Sequence, residues 1–250
     1  MPDPADALPA ALDLIAGATA RGVPLRLVGG LAVRYLTPAF PPRVREGQDI
    51  DLASVSRARL LLVEYLTERG YEPDRHFNAL YGHKQLYFGA PDGRGVDVLI
   101  DRLEMCHAVH FADRIERMPT TLDVADLLLS KLQIAELTEK DVQDALYLLA
   151  AFPVKEGDEP GTIGLGRIGG VVADDWGWWR TVTGSLEHIA DLAADSHRHL
   201  VPSGGAHDVG EQLERLRRYV EEVPKGRRWR LRARLGERVR WYRTPDARVD

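Results

Sequence analysis

The sequence is poor in cysteine and has no long apolar run. Its 250 residues include one cysteine, Cys106, which excludes an internal disulfide and a cysteine-based zinc site and is expected to be a small packed residue. Because no stretch of about 18 apolar residues occurs, no membrane span is predicted. The opening residues, MPDPADALPAALDLIAG, lack the basic start and cleavage site of a secretory signal. We therefore expect a cytoplasmic protein without a membrane partner.

Charge is distributed unevenly along the chain. Between Lys225 and Arg243, nine basic residues stand against one acid, Glu237, a net of +8; because the whole chain is at −5, the remainder carries −13. Trp229 and Trp241 interrupt this basic tail. The tail therefore suits binding to a nucleic-acid backbone with stacking on bases. It equally suits a basic terminal segment docked on the acidic body, or a disordered tail.

The hydrophobic pattern predicts helices and strands that alternate up to about residue 152. Helical spacing marks residues 7–21, and a short strand over 24–30 ends in two glycines. The segments HKQLYFG (83–89) and GVDVLID (95–101) alternate as strands do, and the Asp92-Gly93 pair between them is a hairpin signal. Two helical stretches are predicted to follow, from about residue 121 to 151.

The composition changes at Pro153. Residues 155–170 are rich in glycine and charge and are predicted to form a loop; helices are expected over 174–194 and 210–223. The loop contains GLGRIGG, which matches the G-x-G-x-x-G dinucleotide fingerprint. No strand precedes it and it does not open a β-α-β unit, so we interpret it as a loop leading into a helix. The domain boundary is predicted near residue 153, giving regions 1–152 and 153–250.

Two aspartates lie one residue apart in the segment QDIDLAS (48–54). On a strand, Asp49 and Asp51 share one face, while Ile50 and Leu52 share the other. Carboxylates roughly 6–7 Å apart repel each other by on the order of 2–3 kcal/mol at an effective dielectric near 20. A divalent cation would remove this cost, and oxygen-only ligation favours Mg²⁺. The alternative is a solvated strand face, or a turn in which the aspartates act as caps.

Three other features favour the metal interpretation. The first is the strand that ends in Gly29 and Gly30 ahead of a predicted helix, which lets backbone N–H groups approach a phosphate. The second is Asp97, flanked by Val96 and Val98 on a later strand, where it would lie beside the D-x-D pair; Asp101 on the same face is the competing candidate. The third is a helix with Lys131 followed by the K-D-x-x-D motif at residues 140–144.

In this order, the motifs resemble those of the nucleotidyltransferase superfamily, over roughly residues 10–150. The resemblance implies an α+β fold, in which a mixed sheet flanked by helices precedes the helical C-terminal region. It also implies an enzyme that transfers a nucleotidyl group from an NTP to an acceptor hydroxyl. The superfamily includes aminoglycoside nucleotidyltransferases, CCA-adding enzymes and the toxins of type IV toxin–antitoxin systems. The implied partners are an RNA or tRNA acceptor or a small molecule, and a cognate antitoxin.

The resemblance also implies roles for individual residues. Gly29 and Gly30 would hold the triphosphate, while Asp49 and Asp51 would bind Mg²⁺, two ions in all. Asp97 would complete the metal site and activate the acceptor hydroxyl. The residues implied to contact the nucleotide or shape its pocket are Arg45, Lys131 and Asp144.

The chain departs from the family pattern in three places. Many members have R-x-T-x-D-x-D; here Arg45 matches the arginine, but Gly47 replaces the threonine. Many members also have serine where this chain has Gly30, and the segment between Gly30 and Asp49 is long. The predicted metal site is retained, but the subfamily stays open. The alternative from another class is a catalytically silent nucleotidyltransferase fold that serves as a binding module.

Overall fold

The computed structural model of the chain describes residues 6–41, 48–194 and 200–244. The chain folds into two compact units. The first consists of Met1–Leu103 and His110–Asp123, and the second of Glu104–Val109 and Val124–Asp250. Among the described residues, no helix combines the length and apolar character needed to cross a membrane.

The first unit is an α+β unit built on a five-stranded mixed sheet. Its strands follow the order β1-β2-β5-β4-β3, with β2 and β5 parallel and the other pairs antiparallel. The elements are α1 (Ala7–Ala20), β1 (Arg26–Leu27), α2 (Gly29–Leu36), β2 (Ile50–Ser54), α3 (Arg59–Glu68), β3 (Glu72–Pro73), α4 (Arg75–Tyr81), β4 (Gln85–Gly89) and β5 (Gly95–Ile100).

One face of this sheet forms the core of the first unit. Apolar residues alternate along the three central strands, and those of one face are buried: Ile50, Leu52, Leu86, Phe88, Val96 and Val98. A hydrogen bond links α3 to α1: the hydroxyl of Tyr65 on α3 donates to the carbonyl of Leu14 on α1 at 2.9 Å. The other face of the sheet carries the polar residues of these strands.

The predicted hairpin between β4 and β5 is present. The amide of Ala90 donates to the carbonyl of Arg94 at 2.8 Å, and Gly93 has a φ of +86°. The helix predicted over residues 7–21 corresponds to α1. The sequence pattern did not predict α4, a seven-residue helix with no buried residue, because a helix without an apolar core face has no helical periodicity to detect.

The chain continues through two short strands, β6 (Arg102–Glu104) and β7 (Ala108–His110), which form a two-stranded sheet. The second unit is mostly helical. Its elements are α5 (Val124–Leu132), α6 (Glu139–Ala151), β8 (Val154–Lys155), β9 (Ile163–Gly164), α7 (Leu165–Val172), α8 (Trp176–Ala194), α9 (Val209–Glu222) and α10 (Arg227–Ala233).

The helices α5 and α6 group with the C-terminal helices in the second unit, which consists of Glu104–Val109 and Val124–Asp250. The domain boundary near residue 153 stays a prediction. One feature of this unit differs from the sequence prediction. The GLGRIGG segment was predicted as loop, but residues 165–170 belong to α7. The glycines permit close packing: a Cβ on Gly169 would lie 2.5 Å from the hydroxyl of Tyr219 on α9.

Candidate active site

Asp51 and Asp97 are neighbours on the polar face of the sheet. The parallel register of β2 and β5 pairs Asp51 with Asp97, and Leu52 with Val98. Residues paired in this way point to the same face of adjacent strands, about 4.8 Å apart. Asp51 is partly exposed, whereas Asp97 is 3% exposed. At an effective dielectric near 20, two charges at this separation repel by on the order of 3 kcal/mol.

Gln85 holds the Asp97 carboxylate in place. Its side-chain amide Nε2 donates to Asp97 Oδ1 at 2.5 Å. Gln85 and Tyr87 are partly exposed on β4, where they alternate with buried Leu86 and Phe88. The sequence interpretation did not assign either residue to the site. The period-two alternation of HKQLYFG was the available signal, since it places both on the face opposite the apolar residues.

Asp49 lies just before β2 and is held by the first residue of β5. The amide of Gly95 donates to Asp49 Oδ1 at 3.0 Å. A Cβ on Gly95 would come within 2.6 Å of Asp49 Oδ1 and 2.7 Å of Tyr87 Oη. Since contacts this short do not occur, any side chain at position 95 would displace both groups. Asp49 and Tyr87 therefore converge on Gly95, beside the Asp51–Asp97 pair.

Gly29, the first residue of α2, lies directly against Asp51. Gly29 has a φ of +63°, and a Cβ there would lie 3.0 Å from Asp51 Oδ2. The preceding residue, Val28, makes no side-chain cap, and its amide donates to the carbonyl of Asp51 at 3.1 Å. Gly29 and Gly30 begin the helix, where the first amides have no partner within the helix. Such an N-terminus can receive an anion.

Asp101, the competing candidate to Asp97, has a local structural role. It has a φ of +64°, and its Oδ1 accepts a hydrogen bond from the amide of Ser56 at 2.9 Å. Its own amide donates to the carbonyl of Ser54 at 3.0 Å. Asp101 thus closes the turn after β5, while Asp97 is the residue in register with Asp51.

The resemblance implies that side chains of this site hold Mg²⁺. Within the described ranges, no three His, Cys, Asp or Glu side chains are grouped so that they could hold a metal ion. Mg²⁺ is commonly held by one or two carboxylates, with waters and substrate phosphates completing its shell. The adjacent carboxylates of Asp51 and Asp97 fit this pattern for one ion.

The remaining predicted site residues are Arg45, Lys131 and Asp144. Arg45 lies outside the described residues. Lys131 and Asp144 belong to the second unit, where the ammonium of Lys131 pairs with Asp144 Oδ2 at 2.9 Å and with Asp141 Oδ1 at 3.1 Å. Burial by itself would raise the pKa of Asp141, but the Lys131 charge and hydrogen bonds from Thr138 outweigh it and lower that pKa. The nucleotide contacts of Arg45, Lys131 and Asp144 stay predictions.

The tryptophans of the basic tail pack within the second unit. The ring of Trp229 lies 5.2 Å from that of Trp179, and the ring of Trp241 lies 6.0 Å from that of Trp176. Other tail residues are exposed and form no ion pair within the described part of the chain: Arg227, Arg228, Arg234 and Arg238. The tail therefore presents arginines rather than aromatic rings.

Three comparisons with known proteins were made. No family model matches the chain, and a search of curated proteins finds no match. Among solved structures, the chain is similar to an antigenic nucleotidyltransferase-like protein from Paracoccidioides brasiliensis, with 16% sequence identity and a TM-score of 0.41. The match covers 77% of this chain and 91% of that chain.

Proposed function

We propose that this protein is a Mg²⁺-dependent nucleotidyltransferase that transfers a nucleotidyl group from an NTP to an acceptor hydroxyl. The observation that supports this most strongly is the register of Asp51 with Asp97, immediately beside the N-terminus of α2 at Gly29. Such a site combines two carboxylates with backbone N–H groups suited to phosphate. Phosphoryl transfer needs this combination, because its catalysis depends on positioning and charge neutralisation.

The proposed roles follow from where each group lies. The amides at Gly29 and Gly30 bind the triphosphate, and the carboxylates of Asp51 and Asp97 hold Mg²⁺. The ion, when bound, neutralises phosphate charge and orients the phosphates. Asp97 accepts the proton of the acceptor hydroxyl, whose oxygen forms a bond to the α-phosphorus. The bond from the α-phosphorus to the bridging oxygen breaks, and pyrophosphate leaves.

Asp49 is proposed as the additional ligand for a second Mg²⁺. One of its oxygens, Oδ1, already accepts the amide of Gly95, so the other oxygen, Oδ2, is the one proposed to face the ion. Gly95 then acts as a fixed support for this carboxylate. Gln85 does the same for Asp97 through its short hydrogen bond.

We propose RNA, including tRNA, as the acceptor class, with a small molecule as the rival. The exposed arginines of the tail suit a phosphate backbone, whereas the acidic remainder of the chain suits a cationic small molecule. A cognate antitoxin, which the resemblance implies, and a cytoplasmic location, which the composition of the sequence predicts, remain part of this proposal.

Two observations favour a second candidate, a catalytically silent binding module with the same fold. The described residues contain no cluster of three metal-binding side chains, and Asp49 is engaged by Gly95. A binding module would bind an NTP at Gly29-Gly30 without pyrophosphate release, and its binding would not depend on Mg²⁺. An enzyme needs both the ion and the release of pyrophosphate.

The test is incubation of the protein with each labelled NTP, Mg²⁺ and total RNA, measuring label transfer and pyrophosphate release. Asp51→Ala is expected to reduce both at least about a hundredfold, because it removes a proposed ligand of the Mg²⁺ that would neutralise phosphate charge. Asp13→Ala is the matched control, since Asp13 is an exposed carboxylate on α1 that pairs with Arg69. Transfer that survives Asp51→Ala contradicts the site assignment. NTP binding without pyrophosphate release, for any acceptor tried, supports the binding module.

A further inference from the structure

The polar face of the sheet carries an ordered row of side chains. Asp51 on β2 is in register with Asp97 on β5, and Asp97 is in register with Tyr87 on β4. Gly29 lies against Asp51 at one end of the row. The order across the first unit is therefore phosphate-binding helix start, two carboxylates, then a tyrosine.

An aromatic cluster extends this row beyond Tyr87. The ring of Phe77 on α4 lies 6.3 Å from that of Tyr87, and Tyr81 lies 4.9 Å from Phe77. Asn78 fixes α4 to β4, because its Nδ2 donates to the carbonyl of Tyr87 at 3.0 Å and its Oδ1 accepts the amide of Tyr87 at 2.7 Å. We call Phe77, Tyr81 and Tyr87 the aromatic platform.

The platform is partly open to solvent rather than part of the core. No residue of α4 is buried, and Tyr81 is 41% exposed. Tyr87 is partly exposed, and its hydroxyl lies next to Gly95, where Asp49 is anchored. The three rings do not share a plane, since Phe77 is inclined by 44° to Tyr81 and by 66° to Tyr87. The exposed ring of Tyr81 is therefore the one that offers a face to a planar base.

We propose that the aromatic platform binds the terminal unpaired nucleobase of the acceptor, on a nucleotide chain whose end carries the attacking hydroxyl. This inference rests on the proposed function. In phosphoryl transfer the attacking and leaving oxygens lie roughly in line across the phosphorus. With pyrophosphate leaving toward Gly29, the acceptor approaches from the opposite end of the row. That end is the platform, with Asp97 between them to take the proton.

A nearby positive charge favours a nucleotide over a cationic aminosugar. The ammonium of Lys84 lies 5.5 Å from the centre of the Tyr81 ring. It attracts the phosphate of an acceptor nucleotide and repels an amino group at the same place. Stacking on aromatic rings also accepts any base, because every base has a flat π-face. The platform thus favours a nucleotide without selecting the identity of its base.

The experiment measures binding of a 5′-labelled single-stranded RNA hexamer by fluorescence anisotropy, in the presence of Mg²⁺. A second hexamer is identical except that its 3′-terminal nucleotide lacks the base. Wild type is expected to bind the complete hexamer about tenfold more tightly than the abasic one. Tyr81→Ala is expected to lose this preference and to bind the abasic hexamer as wild type does. Tyr35→Ala is the matched control, since Tyr35 is a tyrosine of similar exposure, 38%, outside the platform.

Each remaining outcome has a defined meaning. If the wild type binds both hexamers equally, or neither, or if Tyr81→Ala weakens both by the same factor, the proposal is wrong. Loss of NTP affinity in Tyr81→Ala with unchanged hexamer affinity would assign the platform to the NTP base instead, which also overturns it. Binding of a DNA hexamer and of an aminoglycoside is measured in parallel, which distinguishes an RNA end from other acceptors. The proposed function and the platform can fail independently. If the wild type released no pyrophosphate but still preferred the complete hexamer to the abasic one, the proposed function would be wrong while the platform would still bind the terminal base.

Discussion

Gly29 illustrates how a single residue links backbone conformation to the candidate site. Its φ of +63° lies in the left-handed region, and its α-carbon approaches Asp51 so closely that a Cβ would lie 3.0 Å from Oδ2. A residue with a side chain would be strained in the backbone and crowded against a proposed metal ligand. Both effects act at the point where the triphosphate is proposed to bind.

Gly29→Ala is expected to lower the free energy of unfolding by about 1 kcal/mol, through left-handed strain, and to lower nucleotidyl transfer at least about tenfold by displacing Asp51. The measurements are urea unfolding and pyrophosphate release. Gly22→Ala is the control, because Gly22 has a φ of +70° with no atom within 4 Å of a Cβ. It is expected to lose similar stability and to keep its activity. If Gly29→Ala and Gly22→Ala had equal activity, Gly29 would not be part of the active site.

The helices α5 and α6 show how an element pair is held together by buried charge. Lys131 on α5 pairs with Asp141 and with Asp144 on α6, whose side chain is 3% exposed. Removing one partner from a buried pair leaves the other charge poorly compensated, which costs more than the pair contributes. The pair therefore fixes the register of α5 against α6, whether or not Lys131 also meets a phosphate.

Lys131→Met is expected to lower the free energy of unfolding at pH 7 by about 3 kcal/mol, measured by urea denaturation. Lys155→Met is the control, since Lys155 pairs with Glu159 at 3.6 Å on the exposed surface; it is expected to change stability by no more than about 0.5 kcal/mol. A similar loss in both variants would contradict the buried-pair explanation.

The same variant has a predicted pH dependence. Because the folded-state pKa of Asp141 is lowered below its ordinary value of 3.8, the stabilisation from this carboxylate is fully present above that value. It is lost as the pH falls through the folded pKa. The difference in stability between wild type and Lys131→Met is therefore expected to narrow below about pH 4. If the stability difference between wild type and Lys131→Met widened as the pH fell, the predicted direction of this pH dependence would be wrong.

Across the protein as a whole, charge is divided between an acidic majority and the basic tail. Trp229 and Trp241 pack against the tryptophans of α8, while arginines and the apolar side chains of Leu231, Leu235 and Val239 are exposed along the tail. The exposed arginines supply its positive charge. A surface of this kind binds nucleic acid through phosphate contacts and counterion release, so its affinity depends strongly on salt.

The paired change Arg227→Ala and Arg228→Ala is expected to weaken binding of single-stranded RNA and to reduce the slope of log affinity against log salt. The reduction is about 0.7 for each phosphate that the protein no longer neutralises. The control is Arg215→Ala with Arg218→Ala, since these α9 arginines pair with Glu156 and Glu214. The measurement is a salt titration of RNA binding. An unchanged slope would mean that these tail arginines do not bind phosphates.

Much of the candidate site could be predicted from local pattern. Alternation along QDIDLAS and GVDVLID separates the carboxylates from the apolar residues, and the glycines before a helix predict the turn at which phosphate binding is proposed. Gln85 was missed because a strand glutamine has no motif, and α4 because it has no buried face. The helical state of residues 165–170 was missed because glycines that allow close helix packing resemble loop glycines.

Local pattern in the chain specifies which residues can share a face, since the two-residue period of a strand needs no distant partner. It follows from the sequence that Asp51 and Asp97 can both lie on the polar face of the sheet. Folding makes them direct neighbours, sets Gln85 against Asp97 and Gly95 against Asp49, and pairs Lys131 with Asp144. These pairings lie beyond local pattern because strand register and helix pairing depend on contacts between residues far apart in the chain.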